Sequence, residues 1–293
     1  MVTNNPLPTP SAAPRGSIQK TFVDARVLSG FTDDGHFEIL TKEYLDTLSL
    51  QEKLKVQTDA IATRTFVSTL PPMPQNSSII IRDIVNPHID AIRNDPLFSQ
   101  SFGRFPLRFS YVDPASIIAL QAWIEPRSDS LPSTEDALLE FALPRKWDVP
   151  AEVSFIPPTG PIQILSSNPA LQGLAIELDQ TVGKVMLGAP KHLNLVQIAN
   201  FNGRYYLRNG YHRVADAIAA HVKEIPALVI DAFNPNDVAL PGNSAFNIGY
   251  VMNLPRPPLV GDFHTNAALT TKIRERRYGV IVNFDIKPIN IGI

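Results

Sequence analysis

No cysteine occurs among the 293 residues. Disulfides, thiolate catalysis and cysteine-ligated zinc or iron–sulfur sites are thereby excluded. No apolar run approaches the roughly 18–20 residues that span a bilayer. The opening stretch MVTNNPLPTPSAAPRGSIQK lacks the apolar core of a signal peptide. These absences predict a soluble, cytoplasmic protein with no membrane partner. An excess of charge of one sign is also missing, since the formal net charge is -2. No global field draws polyanions, which argues against non-specific coating of nucleic acid but leaves room for a local basic pocket. The six histidines (His36, His88, His192, His212, His221 and His264) form no HExxH or similar ligand spacing, so no metal site is expected.

What is abundant is proline, with 27 residues, many of them clustered at 6–14, 71–74, 144–161 and 254–258. Each cluster limits helix and interrupts sheet hydrogen bonding. The hydrophobic share of 44% and charged share of 18% are those of a globular chain long enough to bury a core. The pattern divides the sequence into a flexible tail at 1–18, a largely helical or mixed N-terminal region at 19–143, a proline-rich connection at 144–161, and a second unit at 162–293.

The apolar spacing over Thr41–Thr69 predicts a helix with Ser49 as a cap. Ser78–Ile81 reads as a strand, and Val85–Ile92 as a helix entered through Asn86-Pro87. Phe105–Tyr111 reads as a strand. Asp113-Pro114 then predicts a helix over Ala115–Trp123, and Ser133 caps another at Thr134–Phe141. In the second unit, Pro144 to Pro161 is too proline-dense for regular structure. Ile162–Leu165 is a strand, and Leu171–Val185 reads as a helix interrupted by Gly173 and Gly183. Leu193–Asn200 and Arg204–Arg208 are strands joined by an Asn202-Gly203 hairpin turn. Tyr211–Ala220 is a helix and Glu224–Ile230 a strand, expected to lie parallel beside 204–208. The basic run Lys272–Arg277 reads as a solvated helix face, with a polyanion contact as the sharper alternative.

The segment RYYLRNGYHRVADAIAAHVKEIPALVI carries the most chemistry. A strand ends at Arg208 and a helix starts within three residues. Gly210 permits positive φ and close approach of a ligand to the backbone. The first helical amides lack internal partners and sit at the positive end of the helix dipole, so they favour an anion. His212 and Arg213 lie in this first turn, where the dipole disfavours cations unless an anion offsets it. An arginine fork suits phosphate. A tight turn whose His and Arg meet a carboxylate or solvent fits the same residues.

This segment resembles the second signature box of ParB-type proteins, a Gly-Glu-Arg-Arg turn that opens a helix and leads to an Ile-Pro strand. It resembles equally the Gly-Cys-His-Arg turn of sulfiredoxin. Gly210 matches the turn glycine, His212 and Arg213 the phosphate-contacting pair, and Ile225-Pro226 the Ile-Pro of the strand. Asn168-Pro169 matches the Asn-Pro of the first ParB box. The resemblance covers about residues 162–231 and does not reach the N-terminal half. It implies an α/β (α+β) chain with a ParB/sulfiredoxin-like C-terminal domain. Tyr211 replaces the sulfiredoxin cysteine and the ParB glutamate, so cysteine-based sulfinic acid reduction is excluded and ParB-like CTP hydrolysis lacks its glutamate.

The resemblance implies a nucleoside phosphate or other anion held by Arg208, Asn209, Gly210, Tyr211, His212 and Arg213. NTP hydrolysis or phosphoryl transfer would add Mg²⁺ and a carboxylate, for which Glu177, Asp179 and Asp216 are the candidates. A second reading is a non-catalytic module, switched by nucleotide or docking nucleic acid or a protein partner. A third, a ParB-like nuclease, lacks a metal constellation in the sequence. A homo-oligomer is compatible with the composition.

Overall fold

The computed structural model describes residues 22–74, 78–126, 131–145, 193–239 and 246–274, together with the backbone of strands at 152–155, 162–166, 175–179, 184–188 and 278–282. The 1–18 tail lies outside these residues. The chain opens with β1 (Phe22–Val27), α1 (Asp34–Leu45) and α2 (Leu50–Ser68). Ser49 caps α2 in a full capping box with Glu52, so what reads as one helix over 41–69 is two, broken just before that cap. Next come β2 (Ile80–Asp83), α3 (Pro87–Arg93, capped by Asn86) and α4 (Pro96–Phe102). Asp95-Pro96 starts α4 with the same cap-plus-proline chemistry, in a stretch for which the apolar spacing predicts no element.

β3 (Leu107–Val112) leads into a single turn of 3₁₀ helix at Pro114–Ser116. The helix expected over Ala115–Trp123 does not form. Residues 117–120 run extended: Ile118 N donates to Tyr205 O and Leu207 N to Ile118 O. Ile117 and Ile118 are β-branched and fully buried, and the neighbouring strand supplies the partners that a helix would otherwise provide. β4 (Trp123–Ile124) and α5 (Glu135–Ala142) follow, with Thr134 rather than Ser133 as the cap of α5.

β5 (Glu152–Phe155) and β6 (Ile162–Ser166) pair antiparallel, so regular structure does enter the proline-rich connection. β7 (Ala175–Asp179) and β8 (Lys184–Gly188) form an antiparallel ladder in place of the helix expected over 171–185. The alternation Ile176, Leu178 and Val185, Leu187 has the period of a strand, and two glycines weaken any helix through them. β9 (Gln197–Phe201), β10 (Arg204–Asn209), α6 (Tyr211–Ala219) and β11 (Ile225–Asp231) reproduce the expected strand–turn–helix–strand run. The chain continues through α7 (Ile248–Asn253), a 3₁₀ helix at Val260–His264, β12 (Leu269–Arg274) and β13 (Tyr278–Val282). β12 takes up 272–274 of the run read as a helix face at 272–277, whose last three residues lie outside those described: Ile273 is buried while Lys272 and Arg274 point to solvent, an alternation of period two.

The largest sheet among the described residues has the order β10-β9-β11-β3-β2. β11 lies parallel to β9, with Val229 opposite Ile198, and antiparallel to β3. The parallel partner is therefore β9, not β10 as expected. The short β9–β10 hairpin pairs locally and leaves β9's far edge open to β11. β2 and β3 come from before residue 144 and complete this sheet. A second sheet, β12-β1-β4, joins residues near both ends of the chain. The N-terminal region carries α1 to α5 with four short strands, and β2 and β3 extend the sheet of the second unit rather than forming a separate one. The fold class is mixed α/β.

Ile198, Leu207, Val214, Ala217, Leu228 and Ile230 are fully buried in one core with Phe109, Ile117 and Leu139. This core fixes the β10–α6 turn. At about 25 cal/mol per Å² of apolar surface, each large apolar side chain so buried contributes on the order of 2 kcal/mol.

Candidate functional site

Gly210 ends β10 and starts α6 in the left-handed region, with φ 94° and ψ 22°. A Cβ there would lie 2.9 Å from Val196 Cγ2 and 3.1 Å from Val196 Cα. Both the dihedral and the close approach of the chain entering β9 require glycine. Asn209 Oδ1 accepts from Gly210 N at 2.9 Å, which stiffens the turn. No side chain of the cap residue closes the start of α6. By contrast Asp33, Ser49, Asn86, Asp95, Thr134 and Asn247 cap the other α-helices described.

Tyr211 points inward. Its hydroxyl donates to Leu207 O at 2.7 Å and accepts from Leu120 N at 2.8 Å. Burial pushes this phenol well above its ordinary range, while the backbone bonds at Leu120 and Gln121 act in the opposite direction. Tyr211 locks the turn to the extended 117–120 segment, so its side chain is taken up inside the protein. His212 Nδ1 lies 3.1 Å from Glu125 O, so that nitrogen carries the proton. Arg213 Nη1 donates to Phe141 O and Ala142 O, and Nη2 to Asn194 Oδ1 at 2.9 Å. Both side chains of the first turn therefore hold neighbouring backbone. Asp216 follows Arg213 by three residues on α6 and is half-buried.

Arg208 goes elsewhere. It is 8% exposed, its guanidinium lies 6.0 Å from the Phe105 ring, and Asp237 and Arg104 are the charges that act on it. The six residues grouped by sequence thus separate: Asn209 and Gly210 form the turn, Tyr211 anchors it, His212 and Arg213 tie it to α5 and the end of β4, and Arg208 enters a different cluster. Glu177 and Asp179 lie on β7, not on a helix face, and their side chains fall outside the described residues. Arg204, Arg208 and Arg274 do not line one groove. Arg204 donates to Met252 O and Leu254 O, and Arg274 to Glu43. Lys272 pairs with Asp24 at 3.5 Å.

One cluster has no sequence signal. Arg82 on β2 lies 3.7 Å above the Tyr111 ring and donates to Glu224 and Glu135. Tyr111 donates to Glu135 at 2.7 Å. These residues line a pocket of about 280 Å³ with Ser133, Thr134 and Val222. Their spread along the chain hides the grouping, and only the strand order assembles it. The cluster sets one arginine between two carboxylates and ties β2, β3 and α5 to the residue just before β11.

Among the described residues no group of three or more His, Asp and Glu is placed to hold a metal ion, and no helix is long and apolar enough to cross a membrane. Comparison with protein-family models, curated proteins and solved structures finds no match to this chain.

Proposed function

We propose that the chain binds a nucleoside phosphate at the β10–α6 turn, as a ParB/sulfiredoxin-like unit spanning about residues 162–231. The observation that carries this reading is Gly210. It is held left-handed against Val196, and it opens α6 directly from a buried strand with no side chain capping the helix. A phosphate on the backbone of that first turn meets the dipole's positive end. The phosphate contact is then chiefly backbone, because His212 and Arg213 already serve carbonyls. Hydrolysis or phosphoryl transfer at this turn needs a carboxylate and Mg²⁺ brought in from outside the described cluster, with Glu177, Asp179 and Asp216 as the candidates.

A non-catalytic switch is favoured by one further observation. His212 and Arg213 connect the ligand-facing turn to Glu125 and to the last residues of α5. Occupation of the turn would bias those contacts and so transmit binding to α5. The test is thermal melting with nucleoside di- and triphosphates, with and without Mg²⁺. A saturable rise supports binding. A rise that needs Mg²⁺ and leads to release of inorganic phosphate supports catalysis. No rise with any nucleotide removes the reading.

A further inference from the structure

Arg208 occupies an unusual place in the ladder. Tyr206 opposes Ala199 and Leu207 opposes Ile198, but Asn209 then opposes Gln197. Arg208 is the extra residue of a β-bulge, and a bulge re-aims its side chain relative to the regular alternation. Here the guanidinium turns into the protein, and the residue is 8% exposed. Its Nε and Nη1 are buried and have no hydrogen-bond partner. Gln197, across the ladder, is 4% exposed and leaves Oε1 without a donor.

The nearby acid does not answer this charge. Asp237 attracts Arg208 electrostatically but forms no ion pair with it. Asp237 Oδ1 accepts from Arg104 Nη2 at 2.7 Å. Its Oδ2 accepts from the backbone of Phe233 and Asn234 and from Asn234 Nδ2. Two arginines therefore share one committed carboxylate, and the cluster of Arg104, Arg208 and Asp237 keeps one positive charge. Its walls are aromatic. Phe105 lies under both guanidinia, 4.5 Å from Arg104 and 6.0 Å from Arg208, and stacks on Phe233 at 5.9 Å. Phe233 is 63% exposed and the Arg104 side chain 71%, so both reach solvent.

A buried, unpaired guanidinium is costly, and removing it from water without an anion is not repaid by packing alone. We propose that Arg208 is the floor of a binding site for a small organic carboxylate with an apolar or aromatic body. The single charge matches the cluster, the body lies along the exposed Phe233, and the carboxylate reaches the buried guanidinium donors once the exposed Arg104 side chain swings aside. Burial also pulls the Arg208 guanidinium down to a pKa of about 10, well below its ordinary range, which an anionic ligand would reverse. This site is separate from the turn at Gly210 and does not rest on the nucleotide reading.

The test uses the full chain with benzoate as probe, benzyl alcohol as its neutral counterpart, and inorganic phosphate, read by melting temperature and calorimetric titration. Benzoate should raise the melting temperature saturably, and the alcohol should not. Arg208→Met should melt higher than wild type without ligand, since it removes an unpaired buried charge. It should bind benzoate at least about tenfold more weakly. If Arg208→Met does not fold, Arg208→Lys keeps the charge, loses the fork, and should still bind benzoate more weakly than wild type. Absence of a benzoate effect, equal binding of the alcohol, or unchanged affinity in the Arg208 variant would overturn the proposal. Binding of phosphate in preference to benzoate would overturn the assignment to carboxylates.

Discussion

Arg213, in the first turn of α6, donates from Nη1 to the carbonyl of Ala142, the last residue of α5, at 3.1 Å. Val196 N donates to the same carbonyl at 2.8 Å. A helix C-terminus leaves its last carbonyls without internal partners, and a cation there is doubly favoured. The residue that sequence logic assigns to a ligand is thus also a cap for a neighbouring helix. Arg213→Ala should lower stability by about 1–3 kcal/mol, as charge-assisted bonds to two carbonyls and Asn194 are lost. Denaturant unfolding measures it. An unchanged midpoint would show that these bonds contribute nothing to the fold.

Gly210 should tolerate no side chain. Gly210→Ala combines a left-handed dihedral with a contact of 2.9 Å to Val196 Cγ2. The expected loss is about 1–3 kcal/mol. Gly35→Ala is the control, because a Cβ there meets nothing nearer than Asp33 Oδ1 at 3.7 Å. That change in α1 should be neutral or stabilising by up to about 1 kcal/mol. Equal effects at the two sites would remove the special status of the turn.

Glu135 is held below its ordinary 4.5, first by the Tyr111 hydroxyl and then by Arg82. A carboxylate depressed in the folded state adds stability that is present above its unfolded value and lost as pH falls through the folded one. Stability should therefore fall on acidification from about pH 4.5 downward. Glu135→Gln should make that acid limb shallower. Urea midpoints from pH 6 to pH 3 for both proteins test it, and an identical slope would contradict the assignment.

His264 should titrate below 6.5. Burial is the first cause and the Arg26 guanidinium the second, against a carbonyl contact at Ala215 that acts the other way. A histidine depressed in the fold favours the native state above its unfolded value, and that contribution is lost as pH falls. Imidazole proton resonances tracked between pH 5 and 8 give the midpoint directly. A value at or above 6.5 would mean that the ring is better solvated than its place between Arg26 and α6 implies.

The parts of the fold legible in the sequence are those specified within a few residues. Ser49, Asn86-Pro87 and the Asn202-Gly203 turn each carry their own geometry, and Asn202 and Gly203 take positive φ of 52° and 74°. The β10–α6–β11 run is readable for the same reason. Ile117–Leu120 is not, because an apolar β-branched run fits a helix or a strand until Tyr205 and Leu207 present a free edge. Asp95-Pro96 and Asp113-Pro114 share one signature, yet the first starts a two-turn α-helix and the second a single 3₁₀ turn. The residues beyond each cap make the difference through their tertiary partners, which the local signature does not contain. At the candidate site the glycine is legible from the turn it must make. The partners of His212, Arg213 and Arg208 are not, because Glu125, Ala142 and Asp237 lie far from them in sequence and only the sheet order brings them near.

The most direct measurement is a ¹H–¹⁵N amide titration of the full chain with a nucleoside triphosphate, with and without Mg²⁺. Binding at the β10–α6 turn should shift the amides of Gly210, Tyr211, His212 and Arg213 first and saturably. Smaller shifts at Ala142 and Leu143 should accompany them through Arg213. Saturable shifts confined to other residues, or none at concentrations well above about 1 mM, where a dissociation constant corresponds to only about 4 kcal/mol, would contradict phosphate binding at this turn.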